Sequence, residues 1–551
     1  MATADAPAMT ITTPVEDAPA QDQALVPTRL VRDFQLWLPA PVRRWPEWFR
    51  VGLFLFVLIA ASVFFRSQLI GGQYWMDEAI TVGIASHPLS EIPGVLRMDG
   101  SPPLYYFLLH FWMQMFGDGE AATHWLSLLF ATLTIPVSYW TANSLFGKRA
   151  ALMAATIFAL NPWLTQYGQE TRMYTLMALL GLLATAGFIH GFVYRRRKFV
   201  ALFAVSQALM LYTHAWALFF GAGSLLALVI IYRLSDEQHR QNLIRDGVYA
   251  YVGAGILFLP WLPNFFYQTI HTAAPWDPSP RFGAPVQLSR NLIGGDPIFA
   301  VLLVAAGIGL ADFFVRRGRS TRQARVMWAL IAIPFVTLAL AWVSSQITPA
   351  WSPRYFAPIL AAVILLACMG MSRAGIIGAI ALVLSVFFLG YNPGAAAPGY
   401  KSDMQDISAE MGPLLHRGDL VIVGQPEQTP LAYYYFPGGI RFANTMQGID
   451  KDPTYMDWVN ALQRYRNADP WKMVQPLLNG LKPGQQLVWI PPLTEGVLNW
   501  TAPWTWQIRL QTARWEAIIH HDKQMKLEYW APHNYHGAVD VGDYALLYKK
   551  L

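Results

Sequence analysis

The sequence predicts a polytopic α-helical membrane protein that carries a soluble α/β domain at its C-terminal end. Of its 551 residues, 54% are hydrophobic and only 13% are charged, whereas soluble domains carry about 25% charged residues. The charged residues are concentrated in short loops between long apolar runs, which is the pattern of membrane-spanning helices. Segment 392–551 differs, because it has no apolar run of that length and alternates β-rich runs with helical stretches.

The apolar runs before residue 392 predict about eleven spanning helices, since one span needs roughly 20 apolar residues. They lie near 51–70, 122–145, 149–165, 173–194, 198–213, 215–233, 247–264, 298–315, 325–344, 354–372 and 374–391. Run 102–116 is shorter, begins with two prolines and contains His110 and Trp112. Such residues are typical of the membrane interface, so we expect a non-spanning helix there.

The distribution of basic residues predicts the orientation. With these spans, most basic side chains fall in loops at one face: Lys148, Arg149, Arg195, Arg196, Arg197, Lys198, Arg233, Arg240, Arg245, Arg316, Arg317, Arg319, Arg322, Arg325 and Arg373. Loops at the other face hold only Arg97, Arg172, Arg281, Arg290 and Arg354. Because cytoplasmic loops are enriched in Lys and Arg, we expect a bacterial plasma-membrane protein with a cytoplasmic N-terminus and an extracytoplasmic C-terminal domain.

Three domains are expected. Residues 1–49 are interpreted as a disordered cytoplasmic tail followed by an interfacial helix, without a cleavable signal peptide. Residues 50–391 form the membrane domain and residues 392–551 the α/β domain. Strands are predicted in the latter at Leu420–Gly424, Gln486–Ile490, Trp515–His520 and Tyr544–Lys549.

Composition also excludes some classes of protein. The only cysteine is Cys368, so no disulfide within the chain is possible. The net charge of +6 follows the membrane topology and does not indicate a nucleic-acid partner. No glycine-rich nucleotide motif is present.

Unusual polar residues from six regions of the sequence fall at the predicted extracytoplasmic face. The candidate site residues among them are Asp77, Glu78, Asp99, Tyr105, Glu170, Arg172, Tyr174, His214 and Arg354. Each has a simpler explanation, such as a helix cap, an interfacial salt bridge or an arginine that extends to the interface. Charged groups near the hydrocarbon boundary are costly, however, and are often kept for function. Their convergence at one face therefore favours a functional site.

Carboxylates beside cations at a lipid interface suit transfer of a sugar from a lipid phosphate. The departing phosphate needs Arg, His or a metal ion, and an acceptor hydroxyl needs a carboxylate base. A transporter or flippase of lipid-linked sugars is the alternative, although midplane polar sites and internal repeats are then expected. A non-enzymatic scaffold is a third interpretation.

Several motifs resemble the GT-C superfamily of glycosyltransferases, and in particular bacterial relatives of protein O-mannosyltransferases and of lipid A aminoarabinose transferases. The motifs are the pair Asp77-Glu78 after the first span and the segments 102–106 (PPLYY), 170–174 (ETRMY), 212–214 (YTH) and 260–263 (PWLP). The resemblance implies inverting transfer from a polyprenyl-phosphate sugar to a lipid, glycan or protein acceptor. It also implies that Asp77 is the catalytic base, with Glu78 as support or acceptor binder and Asp99 as the second acidic position.

One departure from the family concerns the donor phosphate. Gly100 and Ser101 stand where the aminoarabinose transferases have a Glu-Lys pair before the two prolines. Phosphate binding is therefore expected from Arg172, Arg354 and His214, with Glu170, Tyr174 and Tyr105 as further substrate-binding residues.

Two contributions stay open at this stage. No cofactor is certain, although Asp77 and Asp99 could hold Mg²⁺ or Mn²⁺ through oxygen ligands. Tyr400, Lys401 and Asp403 precede a helix of the C-terminal domain and could contribute to the site.

Overall fold

The computed structural model describes residues 45–272, 276, 278–317, 322–391, 400–494, 502–531 and 542–551. The predicted N-terminal tail, and the predicted interfacial helix as far as residue 44, lie outside these ranges.

The first part of the chain is helical. Its α-helices are α1 Glu47–Arg66, α2 Met76–Ser86, α3 Ile92–Asp99, α4 Leu104–Phe116, α5 Glu120–Phe146, α6 Lys148–Leu160, α7 Pro162–Gly168, α8 Tyr174–Phe188, α9 Lys198–Thr213, α10 Ala217–Arg233, α11 Glu237–Phe258, α12 Leu262–His271, α13 Ala284–Ile293, α14 Asp296–Arg317, α15 Arg322–Ile347, α16 Leu360–Met371 and α17 Ile376–Tyr391. A π-helical turn at Ile189–Val193 extends α8, and 3₁₀ turns at Leu259–Trp261 and Pro353–Ile359 precede α12 and α16.

Several of these helices are long and apolar enough to cross a membrane. Six of those described meet this test: Glu47–Arg66, Glu120–Phe146, Tyr174–Val193, Glu237–His271, Arg322–Ile347 and Pro353–Met371. The bent pair α13 and α14, which meet at 89°, would be a seventh. Helices α9, α10 and α17 are apolar but shorter, so the described helices supply ten spans if these three and the bent pair also cross.

Helix α8 lies at the centre of the bundle, since 94% of the apolar window in Tyr174–Val193 is buried. A helix that is apolar on all sides is stable only when neighbours surround it. At Gly181, a Cβ atom would overlap the backbone of Pro358. This close approach holds the 3₁₀ turn that carries Arg354 against the helix that begins at Tyr174.

The C-terminal part contains a six-stranded mixed sheet in the order β3-β2-β1-β4-β6-β5. Its strands are β1 Leu420–Val423, β2 Arg441–Asn444, β3 Gly448–Ile449, β4 Gln486–Ile490, β5 Met525–Ala531 and β6 Ala545–Lys550. Strand β1 is parallel to β2 and β4, whereas the other pairs are antiparallel. The accompanying helices are α18 Met404–Met411, α19 Thr429–Tyr435, α20 Ala461–Asn467, α21 Pro470–Asn479 and α22 Pro503–His521, with 3₁₀ turns at Gly412–Leu414 and Pro426–Gln428.

One predicted strand is wrong. Residues 515–520 belong to α22, whose buried side chains are Trp504, Ile508, Gln511, Thr512, Trp515 and Ile519. That spacing of three and four residues is the period of a helix with one buried face. The helical period is not visible when only the apolar residues near Trp515 are considered. The other predicted strands, near residues 420, 486 and 544, coincide with β1, β4 and β6.

The C-terminal part packs directly on α2. Tyr74, Ala79 and Val82 belong to the same buried apolar cluster as Val421 of β1 and Leu431 of α19. At Gly83, a Cβ atom would overlap the carbonyl oxygen of Thr454. Helix α2 is therefore held between the membrane helices and the sheet.

We expect Gly83→Ala to destabilise the protein by about 1–3 kcal/mol, because the added methyl group overpacks the contact with Thr454. Thermal unfolding in detergent measures the effect. Gly94→Ala is the matched control, since Gly94 also lies in a short helix but a Cβ atom there meets nothing within 4 Å. Equal melting temperatures for the two variants would contradict the close packing of α2 on the C-terminal part.

Candidate active site

Helix α2 begins with two adjacent acids that have different surroundings. Glu78 accepts a hydrogen bond from the backbone N–H of Trp75 at 3.3 Å, which caps the first turn. Asp77 makes its contacts outside the helix. Its carboxylate Oδ2 lies 3.0 Å from Nη1 of Arg354 and 3.6 Å from Nη2 of Arg172. A helix cap thus describes Glu78 but not Asp77.

The two arginines reach Asp77 from separate elements. Arg172 lies just before α8 and donates from Nη1 to the backbone carbonyl of Asp77 at 3.1 Å and to Thr81 Oγ1 at 2.6 Å. Arg354 lies on the 3₁₀ turn before α16. Exposed fractions of 19% for Asp77 and Arg354 and 11% for Arg172 leave the cluster partly open, so a small anionic group could reach it.

Aromatic rings surround the guanidinium groups. Arg354 lies over the rings of Trp75, Tyr174 and Tyr355 at 5.1, 5.8 and 5.7 Å, and Arg172 lies 5.6 Å from the ring of Tyr174. Such contacts favour a cation. The Nε atoms of both arginines are buried without a hydrogen-bond partner among the described residues. The two side chains therefore keep donors that the protein itself does not use.

Glu78 is the centre of a buried network. Its Oε1 accepts from the backbone N–H of Thr171 at 2.7 Å and from His124 Nε2 at 2.7 Å. The ammonium group of Lys401 donates to both carboxylate oxygens, at 3.0 and 2.8 Å. His124 also donates from Nδ1 to the carbonyl of Ile70 at 2.6 Å. No part of the Glu78 side chain is exposed.

This network fixes the role that the structure favours for Glu78. Burial alone would raise the pKa of Glu78, but Lys401 and His124 lower it to about 2. Because its oxygens are already occupied by these donors, Glu78 is placed to support the site rather than to bind an acceptor. It joins the start of α2 to α5, to the segment before α8 and to the start of the C-terminal part.

Asp99 and Glu170 lie near the cluster as carboxyl groups with altered pKa values. Burial raises the pKa of Asp99 to about 6, although its hydrogen bond to Ser101 and the charge of Arg172 oppose this. Burial, and then the charge of Glu78, raise the pKa of Glu170 to about 7. Glu170 is 2% exposed, and its Oε2 has no hydrogen-bond partner in the described ranges.

Three other predicted site residues, Tyr174, His214 and Tyr105, have different surroundings. Tyr174 lies in the cluster and accepts from Arg172 Nη2 at 3.3 Å. His214 packs on Tyr355 with ring centroids 4.7 Å apart, but burial, followed by the charges of Arg172 and Arg354, lowers its pKa to about 3. A neutral imidazole still has one N–H donor, so phosphate binding by His214 stays a prediction. Tyr105 is fully buried and bonds Ser127 Oγ at 2.8 Å, and Ser127 in turn donates to the backbone carbonyl of Arg172 at 3.0 Å.

The predicted metal ligands do not fit a divalent cation as they stand. The carboxylate of Asp77 faces two guanidinium groups, and their positive charge disfavours a second cation at the same oxygens. Within the described ranges, no group of three His, Cys, Asp or Glu side chains is arranged to hold a metal ion.

Two members of this site, His124 and Lys401, are hard to predict from the sequence. His124 lies four residues after Glu120 near the start of an apolar helix, so the local sequence points to Glu120 as its carboxylate partner and not to Glu78. The sequence indicates Lys401 only through its place before a helix of the C-terminal domain, and its contact with Glu78 spans 323 residues.

We expect Glu78→Gln to destabilise the protein by about 3 kcal/mol or more, because it leaves the ammonium of Lys401 buried without a counter-charge. Thermal unfolding in detergent measures the loss. Glu47→Gln is the matched control, since Glu47 also contacts a lysine, Lys148, at 2.8 Å but is 66% exposed. Exposed pairs contribute about 0–1 kcal/mol. A control as damaging as Glu78→Gln would contradict the proposed anchoring role.

The same network predicts a pH dependence of stability. The folded-state pKa of Glu78, about 2, lies below its ordinary value of 4.5. The stabilisation is therefore present above pH 4.5 and is lost as the pH falls towards 2. Melting temperatures recorded across this window should fall more steeply for the native protein than for Glu78→Gln. Parallel curves would show that Glu78 is not the titrating anchor.

Residues 100–267 match the model of a family described as dolichyl-phosphate-mannose-protein mannosyltransferase. No curated protein matches the chain. Among solved structures, ArnT from Cupriavidus metallidurans in the apo state has a TM-score of 0.57 at 14% identity, covering 90% of this chain and 97% of that one. The same protein bound to undecaprenyl phosphate has a TM-score of 0.55 at 14% identity, covering 91% and 98%.

The similarity to ArnT extends over both the helical bundle and the C-terminal sheet, given the share of each chain that is covered. At this level of identity it establishes the fold. The fold expected from the motifs is thereby confirmed: the chain shares the fold of ArnT, a bundle of apolar helices followed by a C-terminal sheet domain.

Proposed function

We propose that this protein transfers a sugar from a polyprenyl-phosphate donor to a hydroxyl group of an acceptor, at the extracytoplasmic face of a bacterial plasma membrane. One observation carries the proposal. Asp77 is paired with Arg354 and Arg172 at the ends of membrane helices, where the three side chains are 11–19% exposed and therefore still accessible. A carboxylate base and a phosphate-binding pair of arginines thus occupy one place.

The arginines would bind the donor phosphate. Guanidinium groups form paired, charge-assisted hydrogen bonds with phosphate, and the unpartnered Nε atoms of Arg172 and Arg354 supply donors for it. A phosphate that takes up these donors competes with Asp77 for them. Donor binding would therefore release the carboxylate of Asp77 from its ion pairs, so that it becomes free to act as a base.

The reaction is a single displacement. The acceptor oxygen forms a bond to the anomeric carbon while the bond from that carbon to the phosphate oxygen breaks. The polyprenyl phosphate leaves with the electron pair, stabilised by the arginines, and the proton of the acceptor hydroxyl passes to Asp77. Attack from the side opposite the leaving phosphate inverts the configuration at the anomeric carbon.

The choice of lipid donor is supported by the solved structure of ArnT bound to undecaprenyl phosphate. That protein shares the fold of this chain along nearly its whole length. We therefore propose a polyprenyl phosphate as the donor lipid of this chain. The assay described below identifies the sugar and the acceptor.

The orientation is supported by the two ends of the membrane helices. Arg172 and Arg354 lie at the starts of the spans Tyr174–Val193 and Pro353–Met371, whereas basic residues 195–198 and Arg373 follow their ends. Because Lys and Arg are enriched on the cytoplasmic side, the end that carries Asp77 is assigned to the extracytoplasmic face.

A transporter or flippase of lipid-linked sugars is the second candidate. It would use the same arginines to bind phosphate but would have no use for a carboxylate base beside them. Incubation of the purified protein with a panel of polyprenyl-phosphate sugars and acceptors, with mass spectrometry of the products, separates the two. A transferred sugar supports the enzyme, and transbilayer movement without a product supports the transporter.

We expect Asp77→Asn to lower turnover by about 10²- to 10⁴-fold, the contribution typical of a general base, while donor binding is retained because the arginines remain. Asp296→Asn is the matched control, since Asp296 also pairs with an arginine, Arg290 at 3.4 Å, but is 74% exposed. Near-normal turnover of Asp77→Asn would refute its role as the base.

We expect Arg354→Gln to raise the KM for the donor by about 10- to 100-fold, since a charged hydrogen bond contributes about 1.5–3 kcal/mol. The KM for the acceptor should change little. Steady-state kinetics with each substrate varied in turn measures both. Arg290→Gln, at an exposed arginine that also pairs with an aspartate, is the control. A rise in the acceptor KM alone would overturn the phosphate assignment.

A further inference from the structure

A short turn of the C-terminal part, residues 425–428, lies against the start of α2. The side chain of Gln425 contacts Met76 Sδ through its Nε2 at 3.5 Å. Behind the turn, Leu431 and Ala432 of α19 share a buried apolar cluster with Ala79. The turn is therefore held rigidly next to Asp77, although it is about 350 residues away in sequence.

Glu427 in this turn has one oxygen in use and one without a partner. Its Oε1 accepts from Trp504 Nε1 and from Gln425 Nε2, both at 2.9 Å. Its Oε2 is buried and has no hydrogen-bond partner among the residues described. Glu427 as a whole is 6% exposed. Burial raises the pKa of Glu427, and the charge of Asp77 is close enough to add to this.

Gln428 repeats the pattern at the next position. It is completely buried, and its Nε2 donates to Gln425 Oε1 at 3.3 Å. Its own Oε1 has no partner within the described part of the chain. Two adjacent side chains thus each leave an acceptor oxygen unsatisfied. An unpaired buried polar atom is costly, and a cost of this kind next to a reaction centre is relieved when a ligand supplies the missing donors.

We infer that Glu427 and Gln428 bind the acceptor substrate through at least two of its hydroxyl groups, and that this acceptor is a carbohydrate. The inference rests on the proposed function and names the substrate class of the same site. The carboxylate of Glu427 disfavours a phosphate at this turn and favours a ligand that donates hydrogen bonds. Neighbouring hydroxyls of a sugar supply two donors close together, whereas a serine or threonine side chain supplies one.

The variant Glu427→Gln tests the inference with little change in volume. Its amide oxygen can still accept from Trp504, while the free oxygen is replaced by a donor. We expect the KM for a glycan or glycolipid acceptor to rise about tenfold or more, with the donor KM and the melting temperature unchanged. Gln428→Met, which removes the second free oxygen, should give the same pattern and is available if Glu427→Gln does not fold.

Glu516→Gln is the matched control. Glu516 lies in the same part of the protein and also accepts from a tryptophan, Trp489 Nε1 at 3.4 Å, and from Tyr544 at 2.9 Å. It should leave the acceptor KM unchanged. An increase in the donor KM for Glu427→Gln, equal effects of the two glutamate variants, or an unchanged acceptor KM would each overturn the inference.

Binding of a panel of methyl glycosides, measured by ligand-observed NMR on the full-length protein in detergent, separates this inference from the proposed function. Glycoside binding that is lost in Glu427→Gln, in a protein that transfers no sugar from any polyprenyl-phosphate donor, would keep the carbohydrate site and reject the proposed reaction. Transfer to a peptide hydroxyl with an unchanged KM in Glu427→Gln, and no glycoside binding, would reject the carbohydrate site and keep the reaction.

Discussion

The arrangement of the site depends on the buried carboxylate of Glu78. It accepts hydrogen bonds from His124, from the backbone of Thr171 and from Lys401. A buried ion pair such as Glu78–Lys401 is stable only when additional hydrogen bonds satisfy the charged groups, and here His124 and Thr171 supply them to Glu78 from two other regions of the chain. Asp77 adjoins Glu78 in the sequence, and Arg172 adjoins Thr171. Because Glu78 and Thr171 are hydrogen-bonded, the network brings the base Asp77 close to the cation Arg172.

Two adjacent acids thus have separate roles. Glu78 is enclosed by donors and holds the framework, whereas Asp77 is 19% exposed and faces Arg354 and Arg172. The carboxylate of Asp77 lies near two cations that repel each other, and it offsets one of their two positive charges near the membrane boundary. A phosphate can take over this neutralisation, and the same exchange would make Asp77 available as a base. The residue that holds the framework, Glu78, is therefore adjacent in the sequence to the proposed base, Asp77.

Much of this arrangement could be predicted from the sequence, because the number of spans decides which loops share a membrane face. Asp77, Arg172 and Arg354 were placed together in this way. The partners of Glu78 could not be predicted, since the contact with Lys401 joins residues 323 positions apart and no local pattern encodes it. Glu427 was missed for the same reason. The error at Trp515 was local, where apolar residues of a helix face were interpreted as a strand.

The most direct test of the central claim is a cryo-EM structure of the full-length protein with a polyprenyl phosphate bound. Our account predicts phosphate oxygens within hydrogen-bond distance of both Arg172 and Arg354, and a separation between Arg354 Nη1 and Asp77 Oδ2 well beyond the present 3.0 Å. A phosphate bound elsewhere, with that ion pair intact, would contradict it.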